Sequence, residues 1–154
     1  MGAERCVLVS ACLLGVRCRY DGCGKALDGL ERLNAVARLI PVCPEQLGGL
    51  PTPRTPCERR DGRVVSRAGD DETEAFERGA AETLRLTRLF HVRYALLKAR
   101  SPSCGSGEIY DGSFSGRTIP GDGVAAEALR AAGVRVFNET QIDELLNLLE
   151  ESRA

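Results

Sequence analysis

Four short apolar runs punctuate the chain: CVLVSA at 6–11, LIPVC at 39–43, YALLK at 94–98 and VRVF at 134–137. The segments between them repeat apolar residues at helical spacing. Runs this short and this uniformly apolar fit strands buried on both faces, and strands alternating with helices build a mostly parallel sheet covered on each side. The expected fold class is therefore α/β, a Rossmann-like three-layer sandwich. At 154 residues the chain is the size of one domain, so residues 1–154 are expected to form a single domain.

The intervening segments carry their own signals. Leu27, Leu30, Leu33, Val36 and Ala37 share a helical face. Asp70, Asp71 and Glu72 open a long helix that presents Phe76, Ala80 and Leu84 on one side, with Arg85 and Arg88 in its late turns, where the helix dipole favours cations. Val124, Ala125, Ala128, Leu129 and Ala132 form another face, closed by Gly133 at a C-cap position. Asn138 and Gln141 resemble a capping box ahead of Ile142, Leu145, Leu146 and Leu149. Asp61-Gly62 reads as a hairpin turn. The run from 44 to 58 is rich in glycine and proline and is expected to be irregular, and the glycine- and serine-rich run from 99 to 123 is too long to be a mere connector.

Charge and composition exclude several functions. A formal net charge of -1 gives no electrostatic ground for a polyanion partner, so no stable nucleic-acid complex is expected. No stretch approaches the ~20 consecutive apolar residues of a membrane span, and MGAERCVLVSACLLG lacks the basic and long apolar regions of a secretory leader. The expected location is cytoplasmic. Seven cysteines are an odd count that a reducing compartment would not pair into disulfides.

Three of those cysteines are placed alike. Cys12 follows VLVSA, Cys43 ends LIPV, and Cys104 comes six residues after YALLK. In a parallel sheet, ligands gather outside the carboxyl ends of the strands, so these three thiols could converge. Each has glycine or proline close behind it, in Gly15, Pro44 and Gly105, residues that let backbone approach a bulky group. No two of the seven cysteines form a CxxC pair, and the lone histidine, His91, reads as a packed or surface residue. Three thiols without histidine suit an iron-sulfur cluster with one iron left open. Cys6 reads as core. Cys18, Cys23 and Cys57 lie in loops near the same edge and could assist assembly, form a transient disulfide or have no chemical role.

SACLLG with CRYDG (10–15 and 18–22), VCPEQLGGLPTPR (42–54) and KARSPSCG (98–105) together resemble the thiouracil desulfidase family. The resemblance runs from Cys6 to about Leu149, and it is specific because the motifs occur together and in order. It implies a [4Fe-4S] cluster held by Cys12, Cys43 and Cys104, with the fourth iron free. It implies desulfuration of thiolated uracil compounds, such as 2-thiouracil, 4-thiouracil and 4-thio-UMP, to the oxo base and hydrogen sulfide without net redox change. It also carries catalytic roles onto Glu45 and Ser101, and leaves cluster-assembly machinery as the expected partner.

Those residue types suit that chemistry. A thiocarbonyl sulfur is soft and prefers an electrophilic iron, and hydrolysis then needs a group such as Glu45 to manage protons. Ser101 can hold a pyrimidine edge or a water, and Ser103 reads as a support for the cysteine loop. Without the resemblance, Glu45 and Ser101 would read as turn residues. For a substrate phosphate, Arg17, Arg54, Lys98, Arg117 and the amides of 105–123 are candidates. Larger relatives with an added domain act on thiolated tRNA, whereas this chain has no basic stripe, so a small-molecule thiolated pyrimidine or nucleotide is favoured. Two other readings remain: a non-catalytic metal or cluster-binding module, and persulfide transfer by Cys18, Cys23 or Cys57.

Overall fold

The computed structural model describes residues 5–151. Its core is a four-stranded sheet in the order β2 (Arg38–Val42), β1 (Cys6–Ser10), β5 (Tyr94–Leu97), β8 (Arg135–Asn138), and every pairing in it is parallel. Two hairpins lie outside it, β3 (Cys57–Arg60) with β4 (Arg63–Ser66) and β6 (Glu108–Tyr110) with β7 (Thr118–Pro120). The α/β sandwich expected from the four apolar runs is the fold observed.

The central strands bury both faces, and their alternation sorts the core into two halves. Val7, Val9 and Leu96 point to one side, where they meet Leu33 of α1 (Leu30–Val36) and Leu145, Leu146 and Leu149 of α5 (Ile142–Glu151). Leu8, Ala95 and Leu97 point to the other, against Ala126 and Leu129 of α4 (Val124–Ala131) and, at its margin, Leu84 of α3 (Thr73–Leu89). Of the four leucines of α5, Leu145, Leu146 and Leu149 are wholly buried, each worth about 1.5–3 kcal/mol of apolar burial. Pro41 fits within β2 because that strand is at the sheet edge and has a ladder partner on one side only.

Local signals act where expected. The Asn138 side chain accepts the Thr140 N–H at 2.9 Å while the Gln141 side chain accepts the Asn138 N–H at 3.0 Å, which turns the chain from β8 into α5. Gly133 follows α4 at φ 88°, a conformation that favours glycine. Hydrogen bonds from the Thr73 hydroxyl and from the Thr73 N–H, the latter at 2.9 Å, with Arg63 alongside, hold the Asp71 carboxyl down at about 2. His91 is an exposed residue just past α3, distant from the reactive edge of the sheet.

The structure departs from expectation in the two loop-rich runs. Residues 44–58 are not wholly irregular: Pro44–Leu47 form the one-turn helix α2, with proline at the helix start, where its missing N–H costs nothing, and β3 begins at Cys57. One turn is too short to show periodicity. Residues 99–123 contain the β6–β7 hairpin, whose strands of three residues are equally invisible to pattern. The first helix is also shorter than its apolar face, since Gly29 at φ 92° starts it and Leu27 reaches the same core from the preceding loop.

Helix α2 is seated by a backbone-to-backbone crossing with α3. A β-carbon on Gly79 would stand 1.9 Å from the Pro44 carbonyl oxygen, and one on Gly48 would stand 2.0 Å from that of Ala75. Mid-helix glycine is unfavourable by about 1 kcal/mol relative to alanine, so Gly79 is explained by this approach. Gly79→Ala is therefore expected to lower stability by about 1–3 kcal/mol despite its better helix propensity. Urea unfolding would show this as a lower midpoint; an unchanged or raised midpoint would mean that the crossing is loose.

Candidate functional site

Because all four strands run the same way, their carboxyl ends open onto one edge of the sheet. Cys12 sits just past β1 in a 3-10 turn (Ala11–Leu14) closed by Gly15, whose φ is 94°. Cys43 directly follows β2 and caps α2. Cys104 lies in the loop after β5, and that loop is fixed to the start of α4: the Pro102 carbonyl accepts Val124 N–H at 2.8 Å and that of Ser103 accepts Ala125 N–H at 2.9 Å. The contact is tight enough that a β-carbon on Gly123 would reach within 2.5 Å of the Ser103 carbonyl carbon.

Cys12, Cys43 and Cys104 all line one cavity of about 370 Å³. Cys18 and Cys57 line it as well, while Cys6 packs into the core and Cys23 is exposed outside it. Burial pushes the Cys104 thiol up to about 12, against the hydroxyls of Ser10 and Ser103, which point at its sulfur and favour the thiolate. Burial, then the neighbouring Cys43, raises Cys12. The Cys57 thiol is likewise pushed up to about 12, first by burial and then by Glu45. All seven cysteines are free thiols.

The donor set fits an iron-sulfur cluster. Three soft sulfur ligands arrive from three separate strand ends, and among the described residues no three His, Cys, Asp or Glu side chains stand close enough to share a single ion. A cluster asks for one thiolate per iron rather than several on one metal.

Beside the thiols lies a polar network. Glu45, in the first turn of α2, accepts Arg54 Nε at 2.9 Å on Oε1 and the Ser103 hydroxyl at 2.9 Å on Oε2. The Glu45 and Arg54 side chains are 14% and 6% exposed. Arg54 also donates to the carbonyls of Pro51 and Cys18 and to the Thr52 hydroxyl. Ser101 Oγ accepts the N–H groups of Ser103 and Cys104. No buried side-chain nitrogen or oxygen among the described residues lacks a partner, as a polar site held in one arrangement requires.

The structure thus brings Cys12, Cys43, Cys104, Glu45 and Ser101 to one cavity, with Cys18 and Cys57 beside them, and leaves Cys23 outside it. It redistributes the cations. Arg54 is committed to Glu45, Lys98 lines the cavity but pairs with Glu139 at 2.9 Å, and neither Arg17 nor Arg117 reaches the wall. Arg19 and Arg67 line it instead, with Tyr20, Tyr110 and Phe114. Arg67 lies 5.6 Å over the Phe114 ring. Phe114 owes its place to buried Glu58, which accepts the N–H groups of Gly112 and Phe114, each at 3.0 Å. Tyr110 and Phe114 belong to the β6–β7 hairpin, whose strands are too short to read from sequence, and Arg67 follows the β3–β4 hairpin that Asp61-Gly62 announced. Arg19 and Tyr20 lie in the loop after β1, and no local pattern marks the five as one group.

Removing Arg54 would leave the Glu45 carboxylate without its counter-charge and would take a guanidinium donor from the carbonyls of Pro51 and Cys18, leaving the latter with the Cys43 thiol at 3.7 Å. Arg54→Met is expected to lower unfolding free energy by about 3–5 kcal/mol, and Arg54→Lys to recover little, since an ammonium cannot reproduce the planar fork. Guanidinium unfolding would show it; a loss below about 1 kcal/mol would mean that the pair is solvated.

Comparison with known proteins agrees with this geometry. The chain is 41% identical over 150 residues to the "uncharacterized protein YbbK" of Bacillus subtilis (strain 168), a match covering 91% of this chain and 99% of that protein. It superposes on a solved structure described as the [4Fe-4S]-dependent thiouracil desulfidase TudS, with a TM-score of 0.90 and 47% identity, covering 96% of this chain and 99% of that one. The model of the 2-thiouracil desulfurase family matches residues 7–141, a span that contains all three cavity cysteines at the strand ends, Glu45 and Ser101. The chain belongs to the 2-thiouracil desulfurase family.

Proposed function

We propose that this protein is a [4Fe-4S]-dependent thiouracil desulfidase, a hydrolytic enzyme that converts thiolated uracil compounds to the oxo base and hydrogen sulfide. The observation that carries the reading is the convergence of Cys12, Cys43 and Cys104 on a cavity that also holds the Arg54–Glu45 pair. The same activity is named for the structure that matches it at 47% identity. A binding module would have no use for a partly buried carboxylate facing the cavity, which favours catalysis over storage.

Cys12, Cys43 and Cys104 would hold the cluster. When bound, it supplies a soft Lewis-acidic iron that polarises a thiocarbonyl. The protein's own groups do the rest. Glu45, oriented by Arg54, takes the proton of the attacking water. Ser101, with its oxygen held by two backbone N–H groups and its hydroxyl beside that of Ser103, places that oxygen at the reacting centre. The rings of Tyr20, Tyr110 and Phe114 offer apolar faces to a pyrimidine, and Arg19 and Arg67 offer positive charge to an anionic substituent such as the phosphate of 4-thio-UMP. Free bases such as 2-thiouracil and 4-thiouracil would use the same cavity without that contact. Residues 1–154 act as one catalytic domain.

Free thiols throughout and no helix, among the described residues, long and apolar enough to cross a membrane support a cytoplasmic location, where cluster-assembly machinery would load the site. The test is anaerobic reconstitution followed by turnover of 4-thio-UMP, 4-thiouracil and 2-thiouracil, read by loss of thiocarbonyl absorbance and release of sulfide. Turnover should depend on iron, fall to background in Cys104→Ser and Glu45→Ala, and persist in Cys23→Ser. A fully loaded cluster with no sulfide release from any of the three would overturn the proposal in favour of a binding module. Activity of the iron-free protein would point instead to persulfide transfer.

A further inference from the structure

Ser103 stands between the two residues assigned to proton chemistry, and counting hydrogens fixes the direction of each bond. Ser101 Oγ accepts the N–H groups of Ser103 and Cys104, each at 3.1 Å. A serine oxygen has two lone pairs and one proton, so Ser101 has only its O–H left to give. Ser103 Oγ lies 2.9 Å from Ser101 Oγ and 2.9 Å from Glu45 Oε2. A carboxylate can only accept; Ser103 therefore donates to Glu45 and receives from Ser101. The Cys104 sulfur, at 3.7 Å from the same hydroxyl, is the weaker competitor. With Ser103 only 3% exposed, bulk water has little access to take its place.

We propose that Ser103 is a positioning residue for desulfuration, passing a proton between Ser101 and Glu45 so that the two act as one acid–base unit. The inference rests on the desulfidase reading above. As the water oxygen bonds to the thiocarbonyl carbon, its proton moves to Ser101 Oγ, the Ser101 proton to Ser103 Oγ and the Ser103 proton to Glu45 Oε2. The N–H contacts to Ser101 are at the long side of the usual range, so one yields as that proton arrives. The C=S π pair moves to sulfur as the C–O bond forms. When the C–S bond then breaks and its electron pair leaves on sulfur, the chain runs in reverse and returns that proton to sulfur. The carbon-bound hydroxyl gives its remaining proton to sulfur as the C=O forms, so that the oxo base and hydrogen sulfide leave. Each hydroxyl finishes with one proton, and no oxidant or reductant enters.

The test compares wild type, Ser103→Ala, Ser103→Thr, Ser101→Ala and the double alanine variant, each reconstituted and scored per cluster by iron content and visible absorbance. Ser103→Ala should retain wild-type iron and a KM within about twofold, while kcat falls by about 100-fold. Ser103→Thr, which keeps the hydroxyl, should recover most of that loss. The double variant should be no slower than Ser101→Ala alone, as members of one relay are non-additive. In the cluster-free protein the melting shifts should also be less than additive, with each single change worth about 2–4 °C.

Wild-type turnover with unchanged kcat per cluster in Ser103→Ala would overturn the relay and leave the desulfidase reading intact. Loss of iron with normal kcat per remaining cluster would overturn it too, making Ser103 a support for the Cys104 loop. A wild type inert toward all three thiolated substrates would remove the parent reading and the relay with it.

Discussion

The pairing of β1 with β2 on one side and β5 on the other decides where the reactive groups of this protein gather. Both ladders are parallel, so the chain must leave each strand at the same edge and return by a crossover before entering the next. The direction of the sheet order reverses across β1 and β5, since β2 lies to one side and β8 to the other. Loops at such a point diverge and leave a crevice between them. Cys12, Cys43 and Cys104 occupy the three loops around that crevice.

Strand ends bring the cysteines near; they do not hold them. Two close backbone contacts do that. The Gly48–Gly79 crossing draws α2 against α3 and so sets the angle at which Cys43 and Glu45 enter the cavity. The Gly123 contact joins the Cys104 loop to the head of α4. The Arg54–Glu45 pair then ties α2 to the loop carrying Cys18, through the bond from Arg54 to the Cys18 carbonyl. Few of these contacts involve apolar side chains, so the site depends on backbone fit and hydrogen-bond completeness more than on core packing.

The electrostatics follow the same division. The cavity thiols are desolvated, and at Cys12 burial outweighs the nearby Lys98 and Arg19, so Cys12 and Cys104 favour the protonated form. Cluster loading therefore means proton release as well as ligation. Glu45 keeps a fixed counter-charge in Arg54, and Lys98 keeps one in Glu139. The cations near the mouth are Arg19 and Arg67, of which Arg19 pairs with Asp21 at 3.6 Å.

What the sequence determined by itself was local. Short continuous apolar runs marked the strands and a recurrence at every third or fourth residue marked the helices, because burial on two faces or on one leaves its own trace in a single line of letters. Glycine, proline and capping residues marked the turns for the same reason, and the cysteines were legible because they fall at strand ends. The fold decided the rest. The bond from Ser103 to Glu45 and that from Arg54 to the Cys18 carbonyl join residues 58 and 36 positions apart. Nothing in a one-dimensional pattern records which loop faces which. The same holds for Arg54 itself, a cation whose sequence context suits a phosphate ligand equally well and whose partner is set by the seating of α2. The one-turn helix and the three-residue strands were unreadable because they are shorter than the periods that would reveal them, and they exist because tertiary contacts supply the stability that their length cannot.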